Sequence, residues 1–98
     1  MAGLARVTDV KYLGERVLRI VFSDGLVREL DFAEVLSGVL AAIDDDAMFA
    51  AVEVDDVAGT VCWPSGIDFD PDVLHGDNTA ATGHQPNVVR AYRLEQTR

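Results

Sequence analysis

Three features are scarce in this sequence and limit what it can be: cysteine, aromatic residues and long apolar runs. The 98 residues include one cysteine, and aromatic residues make up 7% of the chain. One cysteine cannot form an internal disulfide, which favours a reducing compartment. No apolar run approaches the ~20 residues of a membrane-spanning helix, and residues 1–6 lack the apolar run of a signal peptide. We therefore expect a cytoplasmic protein that does not enter a membrane.

Basic residues are also few. The chain has eight Lys and Arg against seventeen Asp and Glu, for a net charge of −9. Residues 1–76 carry five basic and fifteen acidic side chains, whereas residues 77–98 carry three arginines and two acidic side chains. Phosphate binding needs clustered Lys and Arg, so the composition argues against nucleic acid as a partner. The acidity either serves solubility alone or forms a surface that matches a basic protein partner.

Chain length and composition predict one small domain. A chain of 98 residues with 49% hydrophobic content buries only somewhat more than ~60% of its unfolded surface. From Asp77 onward Asn, Thr, Ala, Gly, His, Gln and Pro dominate. We therefore expect a domain over residues 1–76 and a linker and tail over residues 77–98. Residues 88–94 could form a helix or a strand that docks on the body or on another chain.

Two strand patterns joined by Asp24 and Gly25 predict a β-hairpin. Residues 16–22 alternate, and three apolar side chains define the predicted core face: Leu18, Ile20 and Phe22. Residues 26–30 return as the partner strand, with a matching face formed by Leu26, Arg28 and Leu30. Asp-Gly tolerates the positive φ that a two-residue type I′ turn needs at both central positions. Residues 6–13 predict a further strand before this hairpin.

The segment after the hairpin begins like a helix. Asp31 can accept hydrogen bonds from backbone N–H groups two or three residues on, and Glu34 can reach back, as in a capping box. We expect a short helix over residues 32–37 that ends at Gly38.

A second helix start lies at Asp70-Pro71, because aspartate is a preferred N-cap and proline is favoured at the first helical position. This helix should end near Gly76. Residues 51–54 and 60–63 predict a second hairpin between the two helices. Together the patterns predict an α+β fold: a small, mainly antiparallel sheet of about five short strands, two short helices and a flexible C-terminal tail.

The densest cluster of special residues runs from Trp63 to Leu74. It holds the only tryptophan, two of the three prolines and aspartates at alternate positions. The chain reads, in order, Phe22-Ser23-Asp24-Gly25, Asp31-Phe32, Met48-Phe49 and Trp63-Pro64-x-Gly66-x-Asp68-x-Asp70-Pro71-x-x-Leu74. This series resembles the bacterial family known as domain of unknown function 2442, over roughly residues 6–76.

The resemblance implies a compact α+β domain whose biochemistry is unassigned. Some relatives carry an added C-terminal helix-turn-helix, and many are encoded beside a second small protein, which implies a toxin–antitoxin-like pair. Residues 77–98 are too short and too polar for a helix-turn-helix, so DNA binding is not carried over. The candidate interaction or structural residues are Asp24, Gly25, Trp63, Pro64, Gly66, Asp68, Asp70, Pro71 and Leu74.

The alternate aspartates of this signature begin like a calcium-binding loop: Asp68, Asp70 and Asp72. The pattern then fails, because Val73 stands where the loop needs glycine and Thr79 where it needs a bidentate glutamate. Capping of the second helix by Asp70 explains the same residues without a metal. We predict no metal ion and no cofactor.

Nucleophiles and zinc ligands lack their usual context. Cys62 lies between apolar neighbours and is expected to be a small buried hydrophobe. Cys62, His75 and His84 do not have zinc-ligand spacing. Neither Ser23 nor Ser65 has the G-x-S-x-G context of a nucleophile elbow, and no glycine-rich phosphate loop is present. No catalytic residue is assigned.

The leading hypothesis is a non-enzymatic, acidic protein-interaction module. It would bind another protein through its acidic face and through one exposed sheet edge or the Trp63 region, and by resemblance it would be the antitoxin-like member of a co-encoded pair. Trp63 is either a core residue or a partly exposed interface anchor. Unpaired sheet edges also permit homodimerisation by strand addition.

Two alternatives stay open. The first is a small ligand-binding domain or enzyme that uses Asp24, Asp68 or Asp70 with His75 in a cleft beside Trp63. The second is a DNA-associated regulator, which rests only on the arginines of the tail.

Overall fold

The computed structural model describes residues 5–36, 38–76 and 85–94, with the backbone alone at residues 38–40. This part of the chain contains six strands, one 3₁₀ helix and two short α-helices. In chain order these are β1 (Val7–Gly14), β2 (Val17–Phe22), β3 (Leu26–Asp31), the 3₁₀ helix (Gly38–Ile43), α1 (Asp46–Ala50), β4 (Glu53–Asp55), β5 (Thr60–Cys62), α2 (Pro71–His75) and β6 (Asn87–Arg93). The predicted α+β class is confirmed.

The strands form two antiparallel sheets. The larger sheet has the order β1-β2-β3-β6, and the smaller consists of β4 and β5. Leu18 pairs with Leu30 across β2 and β3, and Ile20 pairs with Arg28. Paired residues lie on one face of a sheet, so this register builds the core-facing side. The predicted core face of β2 is confirmed, because Leu18, Ile20 and Phe22 are all buried.

The hairpin between β2 and β3 is confirmed, but the predicted turn type is wrong. The N–H of Gly25 donates to the carbonyl of Phe22 at 3.0 Å, and Gly25 has φ +89°. Asp24 is not among the residues with positive φ, which a type I′ turn would require. The loop is thus a three-residue one, in which a type I turn is followed by a glycine in the left-handed region.

The predicted helix over residues 32–37 is wrong. Residues 33–35 form a turn, and Asp31 accepts from the N–H of Ala33 at 2.9 Å, two residues on. The N–H of Phe32 donates to the carbonyl of Arg16 at 2.9 Å, so Phe32 continues the sheet pairing, and the N–H of Val35 donates to the carbonyl of Phe32 at 3.0 Å, which closes a single turn. This arrangement buries Phe32 completely.

Both α-helices are capped by aspartate. The side chain of Asp45 accepts from the N–H of Met48 at the start of α1. Asp70 caps α2, accepts from the N–H of Asp72 at 2.9 Å and is followed by Pro71 at the first helical position. The helix ends at Gly76 in the left-handed conformation, as the sequence predicts. None of the helices in the described part of the chain is long and apolar enough to cross a membrane.

The C-terminal segment differs from the flexible tail that the sequence predicts. Residues 87–93 form β6, which pairs antiparallel with β3 along its length, with a bulge between Arg90 and Val88. The free peptide groups of β3 explain this, because an unpaired strand edge is stabilised by a further strand. Residues 77–84 and 95–98 lie outside the described residues. The division of the chain at residue 76 stays a prediction.

Candidate functional site

The first half of the sequence signature is a tight turn that closes on Trp63. The N–H of Gly66 donates to the carbonyl of Trp63, and the N–H of Trp63 donates to the carbonyl of Ile67, both at 2.9 Å. Pro64 occupies the second turn position, where its fixed φ is favoured, and Gly66 has φ +92°. Pro64 and Gly66 are exposed, and their role here is to reverse the chain.

The second half of the signature leads from this turn into α2. Asp68 pairs with Cys62 in an isolated antiparallel bridge, so it extends the smaller sheet by one residue. Asp70 then caps the helix, and Leu74 is fully buried beneath it. Asp68 and Asp70 are exposed and each is placed by a local backbone contact.

Trp63 is a core residue. It is 2% exposed, and its indole Nε1 donates to the carbonyl of Phe49 at 2.9 Å. Its ring packs against Phe49 at 5.4 Å and against Phe69 at 5.9 Å, measured between ring centroids. A buried aromatic with a satisfied N–H stabilises the domain, and its surface is not available to a partner.

Asp24 and the end of α2, which are far apart in sequence, meet in one cluster. The carboxylate of Asp24 lies 2.8 Å from Nε2 of His75, and its other oxygen accepts from the N–H of Leu26 at 3.0 Å. Nη1 of Arg93 donates to the backbone carbonyl of Asp24 at 3.1 Å and lies 3.7 Å from its carboxylate. Asp24 therefore joins the β2–β3 turn, α2 and β6.

A second arginine, Arg28, holds the C-terminal end of α2. Nη1 of Arg28 donates to the carbonyl of Leu74 at 2.6 Å, at the C-terminus of α2. The guanidinium also lies against Gly76, where an added Cβ would come within 2.9 Å of it. Arginine at a helix C-terminus binds exposed carbonyls and complements the helix dipole. Neither Arg28 nor Arg93 carries a signal for this cluster in the sequence, because only the tertiary fold brings Arg28 to α2 and Arg93 to Asp24.

The electrostatics of the cluster favour ionised Asp24. The hydrogen bond from the Leu26 N–H lowers the pKa of Asp24 most, and His75 and Arg93 lower it further, while partial burial opposes this. A carboxylate that accepts hydrogen bonds and lies near a guanidinium, here that of Arg93, is stabilised in its charged form. Asp24 is thus a fixed negative charge at neutral pH.

The Asp24–His75 pair has the geometry of a clasp. The imidazole is 11% exposed, Nε2 contacts Asp24, and Nδ1 is a buried atom. The ring also packs edge-on against Phe22 at 4.8 Å. Of the carboxylates that the enzyme alternative placed near His75, the structure brings only Asp24 into hydrogen-bond contact. Trp63 is bonded to Phe49 instead of lining a cleft beside this pair.

The acidic side chains are concentrated in one stretch of the chain. Residues 44–72, which we call the acidic segment, contain nine Asp and Glu and no Lys, Arg or His. Seven of the nine are exposed: Asp44, Asp45, Asp46, Glu53, Asp56, Asp68 and Asp70. In the part of the chain that the structure describes, no group of three or more His, Cys, Asp or Glu could hold a metal ion.

Contacts from β1 and its turn hold the acidic segment at two places. Arg16 pairs with Asp44 at 3.2 Å, and the hydroxyl of Tyr12 donates to Asp46 at 2.7 Å. At the other end, the guanidinium of Arg6 donates to the carbonyls of Asp56 and Val57 in the β4–β5 loop. The Arg6 contacts engage backbone carbonyls and leave the nearby carboxylates facing solvent.

The half-buried thiol of Cys62 lies close enough to these carboxylates for their charges to affect its pKa. Burial raises its pKa, and the charges of Asp55, Glu53 and Asp68 raise it further. Cys62 is therefore a protonated, weakly reactive thiol at neutral pH, because the thiolate is the reactive form. Cys62 is half-buried, whereas the sequence predicted a buried side chain.

The fold and these contacts define a small α+β domain in which the sequence signature builds turns, caps and core. A family model described as "Protein of unknown function (DUF2442)" matches residues 7–77, and the chain belongs to this family. No curated protein and no solved structure matches the chain. The resemblance stated from the motifs is therefore confirmed, and it leaves the biochemical role open.

Proposed function

We propose that this protein is a non-enzymatic interaction module that binds another protein through its acidic segment. The observation that carries the proposal is charge segregation: residues 44–72 hold nine carboxylates without a basic side chain, and seven of these are exposed. A surface of one charge steers and orients a partner of the opposite charge. The partner is a small, basic, co-encoded protein, and this chain is the antitoxin-like member of the pair.

Two features support binding over catalysis. Of the candidate carboxylates, that of Asp70 caps α2, whereas Asp68 pairs with Cys62 through its backbone and its side chain is exposed. The one histidine in the described part of the chain joins a structural clasp with Asp24. A DNA-associated role would rest on the arginines of residues 77–98, and in a chain with a net charge of −9 these few basic side chains do not form the clustered positive surface that phosphate binding needs. The half-buried thiol fits a reducing compartment, and we place the protein in the cytoplasm.

Co-expression with the products of the neighbouring genes tests this proposal. At low salt the two proteins should co-purify, and affinity should fall steeply between about 0.02 M and about 0.3 M salt as exposed charges are screened. The double variant Glu53→Gln/Asp56→Asn should weaken binding about tenfold, which corresponds to about 1.4 kcal/mol. The matched control, Asp9→Asn/Glu15→Gln, removes two acidic charges outside the acidic segment and should bind like the parent. Recovery of this chain alone, at low salt with the neighbouring genes expressed, would overturn the proposal.

A further inference from the structure

Strand β6 forms an open edge of the larger sheet. It is the last strand in the order β1-β2-β3-β6, and no other described strand lies on its outer side. Six of its seven residues are exposed, among them two large apolar side chains, Val88 at 51% and Val89 at 52%. Long exposed edges with apolar side chains invite pairing with another chain.

The opposite edge is better protected. The N–H of Val7 at the start of β1 donates to the carbonyl of Gly59 in the β4–β5 loop at 3.0 Å. Register shifts interrupt β1 near both ends, between Val7 and Asp9 and between Tyr12 and Gly14. Bulges of this kind, with a lysine at position 11, hinder edge pairing. β6 has one such shift, between Val88 and Arg90, and its register with β3 is regular from Arg90 to Leu94, so of the two edges β6 is the one suited to strand addition.

The register shows which peptide groups of β6 face outward. The N–H of Leu94 donates to the carbonyl of Gly25 at 2.8 Å, and Tyr92 lies opposite Val27. Peptide groups of an antiparallel strand alternate between its two sides. The N–H and C=O groups of Tyr92 and Leu94 thus point to β3, and those of Ala91 and Arg93 point away from it.

The charges on β6 indicate the kind of strand that would pair there. Asn87–Arg93 contains two arginines and no acidic residue. The side chains of Arg90 and Arg93 are 63% and 61% exposed, and among the described residues each lies near one carboxylate, at 3.8 Å from Glu29 and 3.7 Å from Asp24. A guanidinium has five N–H donors, so both can bind a further carboxylate. A second copy of β6 would instead place arginines beside arginines.

We propose that β6 binds an extended acidic segment of a partner protein by strand addition. The incoming strand hydrogen-bonds to the peptide groups of Ala91 and Arg93, and its carboxylates lie near Arg90 and Arg93. The proposal rests on the protein being an interaction module, but it does not depend on the acidic segment. Main-chain bonds supply affinity in this mode, and side-chain charges supply selectivity.

The test uses a capped peptide in which pairs of glutamates alternate with pairs of valines, so that carboxylates lie on both faces of the strand as Arg90 and Arg93 do, with the corresponding valine–lysine peptide as its counterpart. Amide hydrogen exchange is read by NMR, residue by residue, in the full chain. The acidic peptide should slow exchange at Ala91 and Arg93 at least fivefold, while Tyr92, already bonded to β3, should change little. The lysine peptide should instead perturb the acidic segment, which makes it an internal control for the site of binding.

The variant Ala91→Pro removes one outward N–H and leaves the bonds to β3 intact, because proline is tolerated at a sheet edge. We expect it to weaken binding of the acidic peptide at least tenfold, whereas Ala91→Val, which keeps the N–H, should bind within about twofold of the parent. Should Ala91→Pro fail to fold, Arg90→Gln/Arg93→Gln replaces it and should reduce the preference for the acidic peptide.

Three results would overturn the inference: no slowing at Ala91 and Arg93 with the acidic peptide at millimolar concentration, equal slowing by both peptides, or slowing that depends on protein concentration without peptide. The last result would show that a second copy occupies the edge. If the peptide protects β6 but no co-encoded protein binds, the proposed function fails and this inference stands. If a co-encoded protein binds but the peptide does not protect β6, this inference fails and the proposed function stands.

Discussion

Replacing Trp63 with phenylalanine tests whether the sequence signature is architectural. Trp63 is 2% exposed, donates from Nε1 to the carbonyl of Phe49 at 2.9 Å and packs against two aromatic rings. Phenylalanine keeps one ring in the core but loses the N–H donor and the second fused ring. The substitution should therefore destabilise the domain and leave its surface unchanged.

The magnitude follows from these contacts. The lost hydrogen bond costs about 0.5–1.5 kcal/mol, since the carbonyl of Phe49 still accepts from the N–H of Val52 at 3.3 Å. The lost ring removes buried apolar surface and leaves a gap, which costs about 1–2 kcal/mol more. A total of about 1.5–3.5 kcal/mol is a large share of the roughly 5–15 kcal/mol that stabilise such a domain. The melting temperature should fall by roughly 6–28 °C.

Urea unfolding followed by far-UV circular dichroism is the suitable assay, because the Trp63→Phe variant lacks the only tryptophan. The control Val57→Ala alters a side chain that is 92% exposed and should change stability by less than about 0.5 kcal/mol. If Trp63→Phe unfolds like the parent but no longer binds the partner, then Trp63 is an interface anchor and the architectural interpretation is refuted.

Three further predictions concern the cluster around α2 and the thiol. The pKa of Asp24 is lowered from its ordinary 3.8, so its ionised form stabilises the fold above that value, and this contribution is lost as pH falls through the folded-state pKa. Between about pH 6 and about pH 2, the urea midpoint should therefore fall more steeply for the parent than for Asp24→Asn. Gly76→Ala and Gly14→Ala both place alanine at φ +97°, which costs about 1–2 kcal/mol, but only at Gly76 does the new Cβ meet Arg28. Urea unfolding should therefore show a larger loss of stability for Gly76→Ala, and equal losses would contradict the contact. Cys62 should react with an alkylating reagent more slowly in the folded protein than in urea at the same pH, because its pKa is raised; equal rates would exclude this.

Local chemistry made several elements predictable from sequence. Asp70 followed by Pro71 predicted the start of α2, because a cap and a proline act within one helical turn. Gly25 predicted a chain reversal through its tolerance of positive φ. The same reasoning failed at Asp31, where a side chain that can cap a helix forms a two-residue turn instead. The N–H of Phe32 donates to the carbonyl of Arg16, just before β2, and the local sequence around Asp31 does not reveal this long-range contact.

The candidate sites were less predictable than the elements. The enzyme alternative grouped His75 with Asp24, Asp68 or Asp70, and only the fold shows that Asp24 is the one that lies 2.8 Å away. Arg93 carried no signal beyond its charge in a polar tail, yet β6 brings it to Asp24. Whether Trp63 lies in the core or at the surface depends on the position of Phe49, fourteen residues away.

The sequence by itself determined the family, the fold class, the capped helix α2 and the hairpins, because these depend on residues within a few positions of one another. Only the tertiary structure decided that β6 completes the sheet, that Arg28 and Asp24 fasten α2, and that the open edge carries the arginines. The physical reason is that strand pairing and ion pairs between distant segments depend on which groups the remaining chain leaves unsatisfied, and that is known only once the whole domain has folded.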